Sequence, residues 1–537
     1  MRRLSLFVLL GILCSLPAFA DEGHHHDLTA QELGSVHFPV TCTKGVQKDF
    51  DRSVALLHSF QYEQARAAFE GVARKDPGCA MAHWGVAMSY YHGLWDNTDY
   101  AQGREALARA HALAAKSKHI SQRERQFLGA LDEIYKQDGG DAAAHNRAFE
   151  QKMAALHASN PDDVEAVIFH ALTLAITAPK TDKTFANQRQ CGEMLEPIFR
   201  KQPHHPGGAH YLIHCYDNPV LAERALPAAR AYAQIAPASA HAHHMPSHIF
   251  TRVGSWDEAI ASDTRSAQVA TDAERTSHGG EARDQRLHAM DYLEYAYLQS
   301  GRVQKAKAVV DEMRTLPPLP GRTFIGNYAT EAIPARYALE RRDWEAAKAL
   351  QPDASAVPWA QALTWLAVGV GGARSGDLAR ARHAEQALAA LRDKTSEMKN
   401  PYWSKQVEVQ RGEVAAWMAQ QEGRTEEALA TMRSAAELEE SMEKHPVTPG
   451  VLTPAREMLA ELLALQKQPQ PALREYQAVL KVAPNRFNAL YGAATAAEAA
   501  GDGKAAASYY RKLLQVAVGD ERPELREARK RSEMAAK

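Results

Sequence analysis

The feature that most constrains the fold is a short pattern that recurs along the chain. In its clearest form, Gly254-Ser255-Trp256-Asp257-Glu258-Ala259, a glycine is followed by an aromatic residue two positions later and by an alanine three beyond that. The pattern recurs at five further places: Gly301 to Ala306, Asp343 to Ala347, Gly376 to Ala381, Gly423 to Ala428 and Gly501 to Ala506. Glycine closes one helix, and alanine lets the next helix approach it closely. The pattern therefore predicts stacked helix pairs with a period of roughly 34 residues.

Prolines mark the other end of the repeating unit. Pro77, Pro161, Pro203, Pro237 and Pro484 each stand about where the second helix of a pair should stop. Alanine, leucine, glutamate, arginine and glutamine dominate the composition, and period-2 alternation of apolar residues is scarce. We therefore expect an all-α fold.

With these signals the sequence resembles the tetratricopeptide repeat family from about residue 47 to 513. Alanine, aromatic and proline spacing typical of the repeat is present at Ala65 to Phe69 with Pro77, and at Ala472 and Tyr476 with Pro484. The resemblance implies a right-handed α-solenoid of helix-turn-helix pairs, whose concave face is lined by the first helix of each pair. It also implies that this groove binds a protein segment or a peptide.

Several stretches depart from the repeat. Residues 98–144 are helical in character but match it poorly, and extra residues surround Thr276 to Gln285. The proline-rich segment Leu316 to Gly321 predicts a division into an N-terminal lobe (47–315) and a C-terminal lobe (322–537). Residues 21–46 show no helical period, so we expect them to lie extended on the first repeats.

The N-terminus carries the features of a secretory signal. Arg2 and Arg3 precede an apolar run from Leu4 to Leu16, and Ala18-Phe19-Ala20 forms a small-x-small cleavage site. We expect cleavage after Ala20 and an exported bacterial protein, periplasmic or secreted. No later segment reaches the ~18 uninterrupted apolar residues of a membrane span.

Charge and missing motifs exclude several functions. A formal net charge of −2 gives no field that would attract nucleic acid. Phosphate-binding glycine loops, paired CxxC motifs, HExxH helices, GxSxG elbows and CxxCH are all absent from the sequence. We therefore expect no nucleotide cofactor and no covalent haem.

Four cysteines follow the signal, and an oxidising compartment allows them to pair. A Cys42–Cys79 bridge would tie the N-terminal segment to the first helix pair, and this is the favoured pairing. A Cys191–Cys215 bridge would join neighbouring helices. Buried free thiols are the alternative in both cases.

Histidines are concentrated in one part of the chain. Ten of the twenty-four lie between His204 and His288. His210 and His214 take repeat positions 5 and 9 in one unit, and His244 and His248 take the same positions in the next. Residues four apart share one helix face, and neighbouring first helices pack ~8–10 Å apart. We therefore expect four imidazoles to converge on the concave groove.

Further donors stand near these four. His241 lies about one turn before His244, and the following unit adds His288 and Asp291. Nitrogen donors with a carboxylate suit zinc, copper or another late first-row ion. Pro246 lies between His244 and His248, and a proline inside a helix favours a kink. The placement of both histidines on one helix face is therefore better supported for His210 and His214.

Other interpretations of the cluster remain open at this point. The histidines could line a polar groove for a peptide or small molecule, or pack as structural or proton-sensitive residues. Tyr216, Asp217 and Tyr295 are candidates for orienting a ligand or for acid–base work, as is Asp291. Candidates for the far wall of the groove are His83, Trp84, His92 and Trp95.

Two functions follow from the sequence. The first is an exported solenoid that acts as a binding or scaffold protein, with a transition-metal site in its groove. The alternative is a metal-dependent enzyme, an oxidase or a hydrolase, with the histidine cluster as its active site. Solenoids bind more often than they catalyse, which favours the first.

Overall fold

The computed structural model describes residues 28–95, 97–137, 140–276, 280–317 and 323–535. The predicted signal peptide and cleavage site lie outside these residues. Within them the regular structure is helical. The first thirteen α-helices are α1 (Ala30–Leu33), α2 (Gln47–His58), α3 (Tyr62–Lys75), α4 (Ala80–Met88), α5 (Tyr100–Lys116), α6 (Gln122–Tyr135), α7 (Ala142–Ser159), α8 (Val164–Thr177), α9 (Ala186–Lys201), α10 (Pro206–Tyr216), α11 (Leu226–Ile235), α12 (Ala240–Val253) and α13 (Trp256–Thr276).

The second half of the chain continues in the same way. Its helices are α14 (Glu281–Gln299), α15 (Val303–Thr315), α16 (Phe324–Glu340), α17 (Trp344–Ala349), α18 (Pro358–Ser375), α19 (Leu378–Glu397), α20 (Pro401–Gln421), α21 (Thr425–Glu440), α22 (Ala455–Leu465), α23 (Pro469–Val482), α24 (Phe487–Ala499), α25 (Gly503–Val516) and α26 (Pro523–Ala535). Two short 3₁₀ turns, Lys44–Val46 and Ala222–Ala225, complete the regular structure of the described residues.

The recurring glycine and alanine have the roles that the sequence indicates. Gly254 ends α12 in the left-handed conformation, at φ 70°, which glycine adopts without strain. Ala259, five residues later, is completely buried where α13 packs on α12. Each helix contacts the next along the chain, and first helices of neighbouring pairs also touch, as α10 does α12. The predicted all-α helical-repeat fold is confirmed.

Two clusters of buried apolar side chains form the core. The first is dominated by side chains from α2 to α15, and the second extends from α16 to α26. Both take residues from α16, because Ile333 belongs to the first cluster and Ala332 to the second. Part of the predicted proline-rich boundary, residues 318–322, lies outside the described residues.

The C-terminal repeats pack back against the middle of the chain. The backbone of Pro484 passes so close to Gly254 that a Cβ there would lie 2.2 Å from the Pro484 carbonyl oxygen. The guanidinium of Arg486 donates to the Tyr295 hydroxyl at 3.2 Å, and helix α24 contacts α14. These contacts join the end of the chain to the histidine-rich helices.

The N-terminal segment from residue 34 to 43 is largely extended, and it is fastened to the first repeats. Phe38 is completely buried and packs 5.3 Å from Trp84, between ring centroids. Cys42 and Cys79 form a disulfide with their Cα atoms 4.9 Å apart. A second disulfide joins Cys191 of α9 to Cys215 of α10. None of the helices in the described ranges is long and apolar enough to cross a membrane.

Candidate metal centre

Three consecutive first helices carry the six histidines of the site. Helix α10 starts with Pro206 at its first turn, where a missing N–H costs nothing, and α12 is capped by the Ser239 hydroxyl, which accepts from the Ala242 amide. Helix α12 packs between α10 and α14. Spacings of three or four residues keep the histidines on shared faces. Their positions are His210 and His214 on α10, His241, His244 and His248 on α12, and His288 on α14.

The first trio consists of His210, His214 and His241. Nε2 of His210 lies 3.0 Å from Nε2 of His214 and 3.0 Å from Nε2 of His241. Nδ1 of His210 donates a 2.6 Å hydrogen bond to the backbone carbonyl of His58. Since a carbonyl only accepts, Nδ1 carries the proton and Nε2 presents its lone pair to the other two rings. Ligand atoms gathered in this way can hold one ion.

The second trio consists of His244, His248 and His288. One ring nitrogen from each lies within 4.8 Å of the others, and Nε2 of His244 is 2.9 Å from Nε2 of His248. Pro246 does not break the helix, because α12 continues from Ala240 to Val253. The spacing of four residues therefore pairs His244 with His248 as it pairs His210 with His214.

Carboxylates hold the outer nitrogens of two rings of the second trio. Nδ1 of His248 lies 3.0 Å from Oδ2 of Asp217, and Nδ1 of His244 lies 2.7 Å from Oδ1 of Asp263. Burial would raise the pKa of Asp217, but Lys444 and Arg252 hold it well below its ordinary value. Asp217 is thus ionised and accepts the proton of His248 Nδ1, which leaves Nε2 free. Such carboxylate–histidine pairs orient imidazoles toward a metal and raise their basicity.

All six imidazoles are neutral at physiological pH. The pKa values of His214, His244 and His248 are lowered to about 3, mainly by burial, with contributions from the Lys444 ammonium at all three and from neighbouring imidazoles at His214 and His248. The pKa values of His210, His241 and His288 are also well below the ordinary value, again because of burial. Neutral imidazole is the form that binds transition metals.

The two trios are direct neighbours. The ring centroids of His241 and His244 are 6.0 Å apart, and those of His214 and His248 are 6.1 Å apart. The trios therefore form one cluster of six imidazoles with two points of convergence.

Aromatic side chains enclose the cluster. Phe60 packs 4.4 Å from His210 and 5.4 Å from His241, between centroids, and Trp95 lies 5.6 Å from His241. On the other side, Tyr292 lies 4.8 Å from His244. Of the other residues predicted for the wall, His92 stacks on Tyr62 next to Trp95, Trp84 lies in the core, and His83 lines a separate pocket.

A segment from the C-terminal half covers the cluster. Residues 441–454, here called the inner loop, connect α21 to α22. The ammonium group of Lys444 lies 2.8 Å from Oδ2 of Asp217, and Glu443 pairs with Arg252 at 2.7 Å. The Tyr292 hydroxyl donates to the carbonyl of Thr448 at 2.9 Å.

The sequence predicted that the histidines converge on the concave groove; in the structure they converge and are largely buried. His214 is half-buried, whereas the other five are at most 2% exposed. Phe60, Trp95 and the inner loop shield most of the cluster from solvent, and they come from parts of the chain distant from the three helices.

The carboxylate expected as a ligand lies elsewhere. Asp291 belongs to neither trio, because its Oδ1 is 2.5 Å from a guanidinium nitrogen of Arg336, which also contacts Glu294 at 3.1 Å. The hydroxyl of Tyr216 donates to Glu196, and that of Tyr295 accepts from Arg486. Of Tyr216, Asp217 and Tyr295, which the sequence proposed as residues that orient a ligand, Asp217 contacts a histidine of the cluster.

Sequence reasoning missed Asp263, His58, Glu165 and His205. Asp263 stands on α13, a second helix, where no repeat position indicates a ligand. Glu165 accepts from Nε2 of His58 at 2.8 Å and from Nε2 of His205 at 2.9 Å. Burial alone would raise the pKa of Glu165, but the two imidazoles lower it. This buried group supports His58, whose carbonyl orients His210.

Within the described residues, the donor sets differ in what they offer a metal. The group of Cys42, Asp76 and Cys79 has its sulfurs in a disulfide, and that of His58, Glu165 and His205 satisfies its nitrogens with a carboxylate. The two trios instead direct nitrogens at one another. Three protein ligands per ion leave a coordination position open, as reactive metal sites do, whereas structural zinc sites close with four.

The fold and the site define an all-α helical-repeat protein with a buried pair of tri-histidine groups. No protein-family model matches the sequence, and no curated protein sequence matches it. Similar solved structures include the human IFIT1 dimer with PPP-AAAA, at 11% identity, with 86% of this chain and 89% of that chain covered and a TM-score of 0.38. Yeast Tom70 is similar at 10% identity, with 91% and 88% covered and a TM-score of 0.29. These values carry no inference about ligands or partners.

Proposed function

We propose that this chain is a transition-metal protein in which each trio binds one late first-row ion. The observation that carries the proposal is the convergence of Nε2 atoms, 2.9–3.0 Å apart, in two trios where the outer nitrogens of His210, His244 and His248 are held by a carbonyl or a carboxylate. The outer contacts leave the Nε2 lone pairs of His210 and His248 directed at the neighbouring rings, where a metal ion can bind them. Zinc and copper suit such ligands.

A peptide groove explains the cluster less well. Five of the six rings are buried, and the inner loop of the same chain lies against the space that a peptide would need. The binding of a protein or peptide elsewhere on the solenoid stays a prediction.

A metal-dependent enzyme, an oxidase or a hydrolase, is the second candidate function. The observation that favours it is the ligand count, because three imidazoles leave each ion a position for water or substrate. A protein that only stores a metal, or that uses it for stability, would bind the metal more tightly with a fourth ligand.

Metal content tests the proposal directly. The protein is freed of metal, reconstituted with zinc or copper, desalted and subjected to elemental analysis. Two ions per chain are expected. The double variant His210→Ala/His244→Ala removes one ligand from each trio and should lose both ions. His119→Ala/His204→Ala, which alters two exposed histidines, is the matched control and should keep them. A wild-type protein that stays metal-free after reconstitution would contradict the proposal.

Export belongs to the same proposal. The charged start, apolar run and Ala18-Phe19-Ala20 support it, as do two disulfides, which persist in oxidising compartments. Mass spectrometry of protein recovered from a bacterial periplasm should find Asp21 as the first residue. A chain that retains Met1 and stays in the cytoplasm would contradict export.

A further inference from the structure

The charge balance of the cluster limits which ions it can hold. Six neutral imidazoles bring no negative charge, and among the described residues no carboxylate joins either trio. Of the nearby acids, Asp217 pairs with Lys444 and Arg252, and Asp291 pairs with Arg336. Asp263, against Nδ1 of His244, is the one acid in contact with the cluster that has no lysine or arginine beside it among the described residues. Two divalent ions would place about four positive charges in this largely buried site, against the single carboxylate of Asp263, and buried charge that exceeds its counter-charge is costly.

Two features reduce that cost. Ions of single positive charge halve the buried charge, and copper is the first-row metal suited to imidazole that also has a stable monovalent state. When the two ions are divalent, an anion shared between them lowers the cost of the buried positive charge further. The site thus favours copper(I) in the reduced state, and a bridging anion once the copper is oxidised.

The spacing of the trios allows such a bridge. Across the gap, His241 and His244 are 6.0 Å apart and His214 and His248 are 6.1 Å apart, between ring centroids. Rings at this separation make the two trios direct neighbours, which is what a diatomic ligand shared between two ions requires.

An apolar pocket lies beside the first trio. Its lining includes Leu57, Phe60, Leu94, Phe169 and Ile176. Phe60 separates this narrow space from the rings of His210 and His241. The pocket's free volume of about 10 Å³ is no more than one water-sized molecule needs, so the pocket marks an apolar wall beside the first trio.

We propose that the two trios hold a pair of copper ions that binds dioxygen between them. This inference rests on the proposed metal binding and names its ion and its small-molecule ligand. Each copper(I) gives one electron, and dioxygen accepts both. The O–O double bond becomes a single bond, and the resulting peroxide dianion bridges two copper(II) ions. No proton is needed for this step.

The test uses the full-length protein, copper(I) and dioxygen. Metal-free protein is loaded anaerobically with two equivalents of copper(I), mixed with oxygenated buffer and followed with an oxygen electrode. About one dioxygen per two copper ions should be consumed, and an acid quench should release a matching amount of hydrogen peroxide. The oxidised pair should be silent in electron paramagnetic resonance, because the bridge couples the two unpaired electrons.

Single-trio variants sharpen the test. His288→Ala should bind one copper ion and consume no dioxygen above the blank, whereas the exposed-site control His204→Ala should match the wild type. Circular dichroism checks that His288→Ala is folded. If this variant does not fold, the ratio of dioxygen consumed to copper bound in the wild type still tests the proposal.

The failures of the two proposals are distinguishable. Two bound copper ions with no dioxygen uptake, or with the resonance of two isolated copper(II) ions, would overturn the dioxygen inference and leave metal binding intact. Binding of zinc with refusal of copper would do the same. A protein that binds neither metal would overturn both.

Discussion

Nδ1 of His244 and Oδ1 of Asp263 lie 2.7 Å apart, and neither side chain is exposed to solvent. This contact between α12 and α13 leaves Nε2 of His244 to face Nε2 of His248, 2.9 Å away. Burial raises the pKa of Asp263 well above its ordinary value. A cation bound at His244 counteracts this, because the ring then donates its Nδ1 proton to the carboxylate.

The first prediction concerns this outer carboxylate. Asp263→Asn removes the charge that raises the basicity of His244, so metal affinity at the second trio should fall by about 10–100-fold. Titration against a chelator of known affinity measures the change. Asp272→Asn, an exposed position on the same helix, should leave the affinity unchanged. Equal metal affinity in the two variants would show that Asp263 does not contribute to metal binding.

The second prediction separates ligands from structural residues on α14. His288→Ala should lower the metal content by one ion per chain. Asp291→Asn should keep the metal content, because Asp291 pairs with Arg336 and contacts neither trio. The loss of the buried pair should lower the free energy of unfolding by about 1–3 kcal/mol. If Asp291→Asn also loses an ion, Asp291 is a metal ligand after all.

The third prediction concerns closure of the cluster by the inner loop. Lys444→Met keeps the apolar stem but removes the cation beside Asp217, so a buried carboxylate loses one partner. The free energy of unfolding should fall by about 1–3 kcal/mol, and amide exchange in residues 441–454 should accelerate. The exposed Lys405→Met serves as the control. Unchanged exchange in the loop would show that Lys444 does not fasten it.

The fourth prediction is a pH dependence of stability. Burial raises the pKa of Glu439 from 4.5 to about 8, so the folded state keeps a proton that the unfolded state releases. Its contribution to stability is therefore present below pH 4.5 and is lost as the pH rises to about 8.

Glu439→Gln retains an oxygen to accept from the Ala455 amide but cannot ionise. Its melting temperature, relative to that of the wild type, should rise between pH 5 and pH 8. Glu437→Gln, exposed on the same helix, should follow the wild type throughout. Parallel curves for all three proteins would refute the assignment.

The helix pairs were predictable because they depend on local signals. A glycine such as Gly254 and an alanine such as Ala259 set the turn and the close approach, and a sequence shows both directly. The spacing of His210 and His214, and of His244 and His248, likewise places each pair on one helix face.

The surroundings of the histidines were not predictable in the same way. Asp263 lies on the outer helix of its pair, and Lys444 reaches Asp217 across 227 positions of sequence. Asp291 occupies the same repeat position as His210 and His244, but it forms an ion pair with Arg336 of the following unit. Such contacts depend on how distant parts of the solenoid meet, which the spacing of one repeat does not determine.

The most direct test of the central claim is the position of the metal itself. Crystals of copper-loaded protein, measured at the copper absorption edge, should give two anomalous peaks: one among His210, His214 and His241, and the other among His244, His248 and His288. An anomalous map that is empty at both trios, with copper fully loaded, would contradict the account.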